Sequence, residues 1–364
     1  MDHGLNWTGA DLADLFTSGW NPWVICCAVG YLSLCMMLRN RRTNSMQGRL
    51  RLRYGAQGAL AGMTLEEAYA IKSWLAEQEF PRTLSMVNPF ALFKSYGIPS
   101  ISGLFARAGQ NAHTKAQTKS TKKKLDSSVV LANMMGRPGS QEAVQGIARV
   151  NYIHSFYRPS GKISDDDLLY TLSLFTLEIV RWVDSYEWRR LTDIERCAIA
   201  VFHKALGDEL AIPYDHLPSQ RDAWRDGLHW LSELDVWARA YEEEHMKPSE
   251  AAARMGNTTM DRWLQQVQTP FKTMGRKMVS VAMGPRLREA MGVIDPPPVY
   301  EVAFNALVRI RKVFLRHLRL RWPGTSLHIN TTSDAKLSSD GTMTENMPHN
   351  TDQMNAPEKG CGQI

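Results

Sequence analysis

The chain has 364 residues, of which 44% are apolar and 22% charged. These values exclude a wholly disordered, collagen-like or multispanning protein and leave ample material for a large core. Forty-three basic against 37 acidic side chains give a net charge of +6, a mild excess compatible with an anionic surface without requiring one.

The first predicted element is apolar. No charged residue occurs from Leu15 to Leu38, and 19–38 reads as a transmembrane helix, since about 20 residues at about 1.5 Å each cross a bilayer core. Acids precede it (Asp2, Asp11, Asp14) and arginines follow it (Arg39, Arg41, Arg42, Arg49, Arg51, Arg53). That order argues against a cleaved signal peptide and places the following chain in the cytosol. Residues 1–18 are then a short lumenal segment, 39–59 a basic juxtamembrane linker, 60–322 one all-α domain, and 323–364, rich in Ser, Thr, Asn and Asp, a disordered tail.

Within the domain, Thr64-Leu-Glu-Glu67 and Thr192-Asp-Ile-Glu195 are capping boxes that open helices ending before Pro81 and Pro213. Ser164 followed by Asp165, Asp166 and Asp167 opens a third helix, with Leu168, Leu172, Phe175, Ile179 and Trp182 on its apolar face. From Asp222 to Met246, Trp224, Leu231, Ala238 and His245 recur at seven. Val299 to Leu320 reads as an amphipathic helix with Arg309, Arg311, Lys312, Arg316, Arg319 and Arg321 on or near its exposed side. No run alternates at period two.

Chemistry is sparse. The five cysteines form no metal-binding or disulfide pattern, and HExxH, GxSxG, P-loop and GxGxxG signatures are missing. The aspartate run lacks the later carboxylate of a diphosphate-binding DDxxD motif, so its acids read as first-turn helix partners. The lysines from Lys115 to Lys124 have no interleaved aromatic residue, which argues against nucleic-acid binding. His154 shares a helical face with Ile147, Val150 and Tyr157. Its imidazole is expected in apolar surroundings, either hydrogen-bonded in the core or ligating iron. His203 is a second candidate of the same kind. Glu178 is a candidate buried carboxylate, with a salt bridge to Arg181 as the plainer reading.

Several stretches resemble the fungal MpaB/rubber oxygenase family: Phe90-Ala-Leu-Phe-Lys-Ser-Tyr-Gly-Ile-Pro-Ser-Ile-Ser102, Tyr152-Ile-His-Ser-Phe-Tyr-Arg158, Ile163 to Phe175, Arg181-Trp182, Tyr186-Glu-Trp-Arg189 and Gly227-Leu-His-Trp-Leu231. The resemblance implies a globin-like all-α core, haem b as cofactor with His154 as proximal iron ligand, and oxidative cleavage of a carbon–carbon double bond by dioxygen. It also implies a prenylated or otherwise lipophilic substrate of secondary metabolism and attachment to the endoplasmic reticulum membrane. The family's polar Arg-x-x-Asp-Thr cluster corresponds to Lys123-Lys-Leu-Asp126-Ser127 here, which assigns Lys123, Asp126 and Ser127 to the catalytic site. Lys keeps the charge but loses the planar fork of Arg. A non-catalytic membrane-anchored binder of lipophilic intermediates is the alternative.

Overall fold

A computed structural model describes residues 22–56, 58–115 and 129–318. Among them every regular element is helical, as the periodicity predicts. Helix α1 spans Pro22–Tyr54, α2 Leu65–Trp74, α3 Pro81–Ser95 and α4 Pro99–Lys115. After a further helical segment at 129–134 come α5 (Gln141–Tyr157), α6 (Asp165–Tyr186), α7 (Asp193–Glu209) and α8 (Gly227–His245). They are followed by α9 (Glu250–Trp263), α10 (Thr269–Met283), the short α11 (Pro285–Ala290) and α12 (Pro298–Val313), extended by a π-turn at Phe314–Leu318.

The caps form as the sequence dictates. Thr64 and Thr192 each accept from the backbone N–H three residues on, and Glu67 and Glu195 reach back to the cap. Ser164 accepts from the Asp167 N–H at 3.0 Å. The three aspartates serve the helix start and its packing. Asp165 pairs with Arg158 at 2.6 Å, Asp166 with His216 at 2.7 Å, and buried Asp167 accepts from Ser100 and Tyr241 at 2.7 and 3.0 Å.

Helix α6 is the axis of the core. Leu168, Leu172, Phe175 and Ile179 are buried on the predicted face, yet Leu169, Tyr170, Leu174 and Leu177 on other faces are buried too. An amphipathic helix would leave one side wet; this one is enclosed by α3, α7 and α8. Trp182 lies 4.8 Å from the Phe90 ring of α3, and Phe93 of the same helix lies 4.9 Å from Trp263 of α9. Helix α2 packs on α7, where Tyr69 meets Phe202 at 6.0 Å.

Two expectations are revised. The stripe from Asp222 begins its helix only at Gly227, because Asp226 caps it by accepting from the His229 N–H, and Trp224 sits in the preceding loop with its indole N–H donating to Glu233 at 2.8 Å. Arg311 does not face solvent freely. It bridges α12 to the end of α6, donating to Glu187 at 2.8 Å and to the Tyr186 carbonyl at 2.5 Å. The start of the expected membrane span, 19–21, lies outside the described residues, and among those that are described no helix is long and apolar enough to cross a membrane. The apolar run from Pro22 gives way at Arg39 while α1 itself continues to Tyr54. The tail from 323 likewise lies outside the described residues.

Candidate active site

The His154 helix, α5, is held in place by sequence features at both ends. Ser140 caps it by accepting from the Ala143 N–H at 3.2 Å. At the other end Asn151 donates to the Glu209 carbonyl at 2.9 Å and Arg158 to that of Ala211 at 3.1 Å, fastening the helix to the end of α7. Near its middle Gly146 permits a close crossing with segment 129–134. A Cβ there would lie 2.8 Å from the Met134 backbone nitrogen and 3.2 Å from the Val130 carbonyl oxygen. Both are backbone atoms, so the crossing cannot relax by a rotamer change. Gly146→Leu is therefore expected to lower the unfolding free energy by at least about 1–3 kcal/mol, measurable by denaturant titration; an unchanged midpoint would mean that the two segments do not cross there.

That crossing brings the chain just after Lys123, Asp126 and Ser127 against the His154 helix. The three residues themselves lie outside the described residues. On α5, Ala143 and Gly146 are buried, and Ile147, Val150, His154 and Tyr157 are half-buried, so the predicted inward stripe is the observed one. Tyr152, Ile153 and Phe156 are exposed on other sides, the first and last in edge-to-face contact at 4.9 Å.

His154 has a buried Nδ1 with no hydrogen-bond partner among the described residues. Its pKa is lowered, first by burial and then by the neighbouring Arg158 charge, which keeps the imidazole neutral. A neutral ring with an unpartnered nitrogen is the form that ligates iron. His203 shares part of this description. Its Nδ1 lies 2.8 Å from the Ile199 carbonyl, its Nε2 is buried and unpartnered, and burial with the nearby Lys72 charge pushes its pKa down to about 3. The two differ in space around the ring. His203 is 0% exposed, so no open volume adjoins it that could admit a macrocycle, whereas His154 retains accessible surface.

Sequence reading missed the company that His203 and Glu178 keep. Lys72 places its Nζ 3.7 Å from the Phe202 ring centre and donates to the Met135 carbonyl at 2.9 Å; burial lowers its pKa to about 7. Glu178 is buried and does pair with Arg181, at 2.9 Å, but it also receives Lys94 at 3.0 Å. Lys94 reaches Glu242 as well, at 2.7 Å, and the Tyr170 hydroxyl donates to Glu242 at 3.2 Å. Burial alone would raise the Glu178 pKa; Lys94 and Arg181 outweigh it and hold the group below the ordinary carboxylate range. The available signal was a lysine inside the apolar run Phe90-Ala-Leu-Phe-Lys94, where an unpaired cation would be costly.

An open cleft of about 610 Å³ lies between α6 and α8, lined in part by Leu177, Arg181, Asp184, Arg196, Asp235 and Arg239. Its arginines are already matched: Arg181 and Arg239 to Asp235, Arg196 to Asp184. Neither histidine borders it. Among the described residues no group of three or more His, Cys, Asp or Glu side chains is placed to hold a metal ion.

Residues 102–312, more than half the chain, match the family described as ER-bound oxygenase mpaB/B'/rubber oxygenase, catalytic domain. The chain belongs to that family. It is 37% identical to ER-bound oxygenase mpaB' of Penicillium brevicompactum over 300 residues, covering 82% of this chain and 70% of that protein. Against ER-bound oxygenase mpaB of Penicillium roqueforti it is 38% identical over 277 residues, 76% of this chain and 91% of the relative. The mpaB protein of Penicillium brevicompactum is 36% identical over 300 residues. The mpaB/rubber oxygenase relationship makes the chain an oxygenase, and the segment it matches contains α5 with His154 and all of α6, α7 and α8.

Proposed function

We propose that this oxygenase is haem-dependent and associated with the endoplasmic reticulum membrane, and that it cleaves or oxygenates a carbon–carbon double bond of a prenylated or similar lipophilic intermediate of secondary metabolism. The observation that carries the cofactor reading is His154: a neutral imidazole with an unpartnered ring nitrogen, on a helix fixed at both ends, in the segment that matches the oxygenase family. His154 would be the protein's ligand to a haem iron, whose remaining nitrogen ligands the porphyrin itself would supply. Bound there, haem b would supply dioxygen binding and activation.

The protein's own part is positional. Gly146 and the α7 contacts set the height and direction of His154. Ile147 and Val150 continue the half-buried stripe of α5 on which His154 stands. Lys123, Asp126 and Ser127, as the residues matching the family's polar cluster, would orient bound oxygen or substrate from the chain that leads into segment 129–134. Lys123 offers a point charge and Ser127 a hydroxyl in place of Arg and Thr. A lipophilic substrate and the names of the relatives both favour a membrane-bound enzyme, with 19–38 as the anchor and the arginines after Leu38 holding the body in the cytosol.

One preparation tests the reading. Microsomes containing the full chain are expected to show a haem Soret band, to consume dioxygen with carbonyl formation from a prenylated aromatic substrate, and to lose the helical body to added protease. Protein that stays colourless after haem feeding, with no oxygen uptake, would favour the non-catalytic binder instead.

A further inference from the structure

Helix α12 has two apolar faces. One is packed: Phe304, Val308 and Leu315 turn toward the body, where Phe304 meets the Tyr186 ring at 5.9 Å and Arg311 binds Glu187. The other is not. Val299 (66%), Val302 (69%), Leu307 (55%), Ile310 (65%) and Val313 (56%) are all exposed. At 100° per residue they fall with Ala303 and Ala306 on one side of the helix, opposite the packed one. A surface helix normally presents polar residues there, and a contiguous exposed apolar stripe marks a contact surface.

We propose that this outward face of α12 is a second lipid-facing surface, turned toward an anionic bilayer beside the N-terminal apolar stretch; the idea rests on the membrane reading given above. Two observations select a bilayer as the occupant. The stripe is continuous with the apolar part of α1, because the Tyr31 hydroxyl donates to the Leu318 carbonyl at 2.9 Å and buried Cys35 lies against the same carbonyl. Around that junction α1 exposes Val29, Leu34, Met36 and Met37, and the end of α12 exposes Phe314 and Leu318. The charge is also right. Arg309 and Arg316 are exposed along one flank of the stripe and Glu301 is the single acid of the helix, the composition of an interfacial helix on anionic lipid.

The test uses the full chain with a photoreactive benzoylphenylalanine at Leu307 or, on the polar side, at Glu301, reconstituted in vesicles of phosphatidylcholine and phosphatidylserine. Illumination is expected to yield a lipid adduct at 307 and none at 301, and the 307 adduct should be lost when Val302→Glu and Ile310→Glu are combined with the probe. A dimer-sized or intrachain adduct at 307, or vesicle-bound protein with no lipid adduct there, overturns the proposal while leaving the anchor intact. Protein that does not float with the vesicles at all removes the membrane reading together with this one.

Discussion

Replacing His154 by alanine is expected to abolish the Soret band and oxygen consumption while leaving the far-ultraviolet helical spectrum intact. The side chain is half-buried and makes no hydrogen bond through Nδ1, so its removal breaks little that holds α5 in place. The fastenings of that helix lie elsewhere, at Ser140, Asn151 and Arg158. His203→Ala is the matched control. That ring is fully buried, and its Nδ1 is anchored to Ile199. Removing it leaves a cavity and takes away the ring's hydrogen bond to the Ile199 carbonyl, at a cost of about 1–3 kcal/mol. The expected result is a lower melting temperature with pigment retained. The pair separates the two roles because they move different observables: a ligand controls the spectrum, a core histidine controls the stability. Full pigment in His154→Ala together with colourless His203→Ala would move the iron to α7.

Much of this arrangement was legible before any coordinates. Capping boxes at Thr64 and Thr192 and the cap at Ser164 are local devices, decided within four residues, and all three form. The inward stripe of α5 was readable for the same reason, since one helical period fixes it. What the sequence could not show is pairing across distance. Lys94, Glu178 and Glu242 come from α3, α6 and α8 and meet in the interior, and Arg311 crosses from α12 to Glu187; only packing brings such partners together. The same limit hid the second apolar face of α12. Periodicity reports how apolar residues are distributed around a helix, not which of them a neighbouring element covers. For the site itself the sequence supplied His154 and its neighbours, and the structure added the crossing at Gly146 and the contrast in openness between His154 and His203.

The second large effect concerns the buried charges. Lys94→Met keeps the length and most of the volume of the side chain but removes the cation shared by Glu178 and Glu242, whose side chains are 6% and 12% exposed. Glu178 keeps Arg181 at 2.9 Å. Glu242 is worse placed, because Arg181 stands 3.9 Å away and the Tyr170 hydroxyl supplies its other hydrogen bond. Breaking a buried pair from one side leaves an uncompensated charge, and the variant is expected to lose about 3–5 kcal/mol at neutral pH. The sign of the pH dependence follows from Glu178, whose folded pKa is lowered by Lys94 and Arg181 against the opposing effect of burial. A carboxylate with a depressed folded pKa contributes stability that is complete above its unfolded pKa of about 4.3 and is lost as pH falls through the folded value. The wild-type advantage over Lys94→Met is therefore full at pH 7 and shrinks in acid, where the carboxylates protonate and the missing cation matters less. Adding Glu242→Gln to Lys94→Met should restore part of the loss, since a neutral amide does not need the cation. Denaturant titrations of the wild type and the two variants between neutral and acidic pH measure this directly. A loss at pH 7 below about 0.5 kcal/mol, the range of an ordinary surface change, would show that Arg181 alone holds both carboxylates.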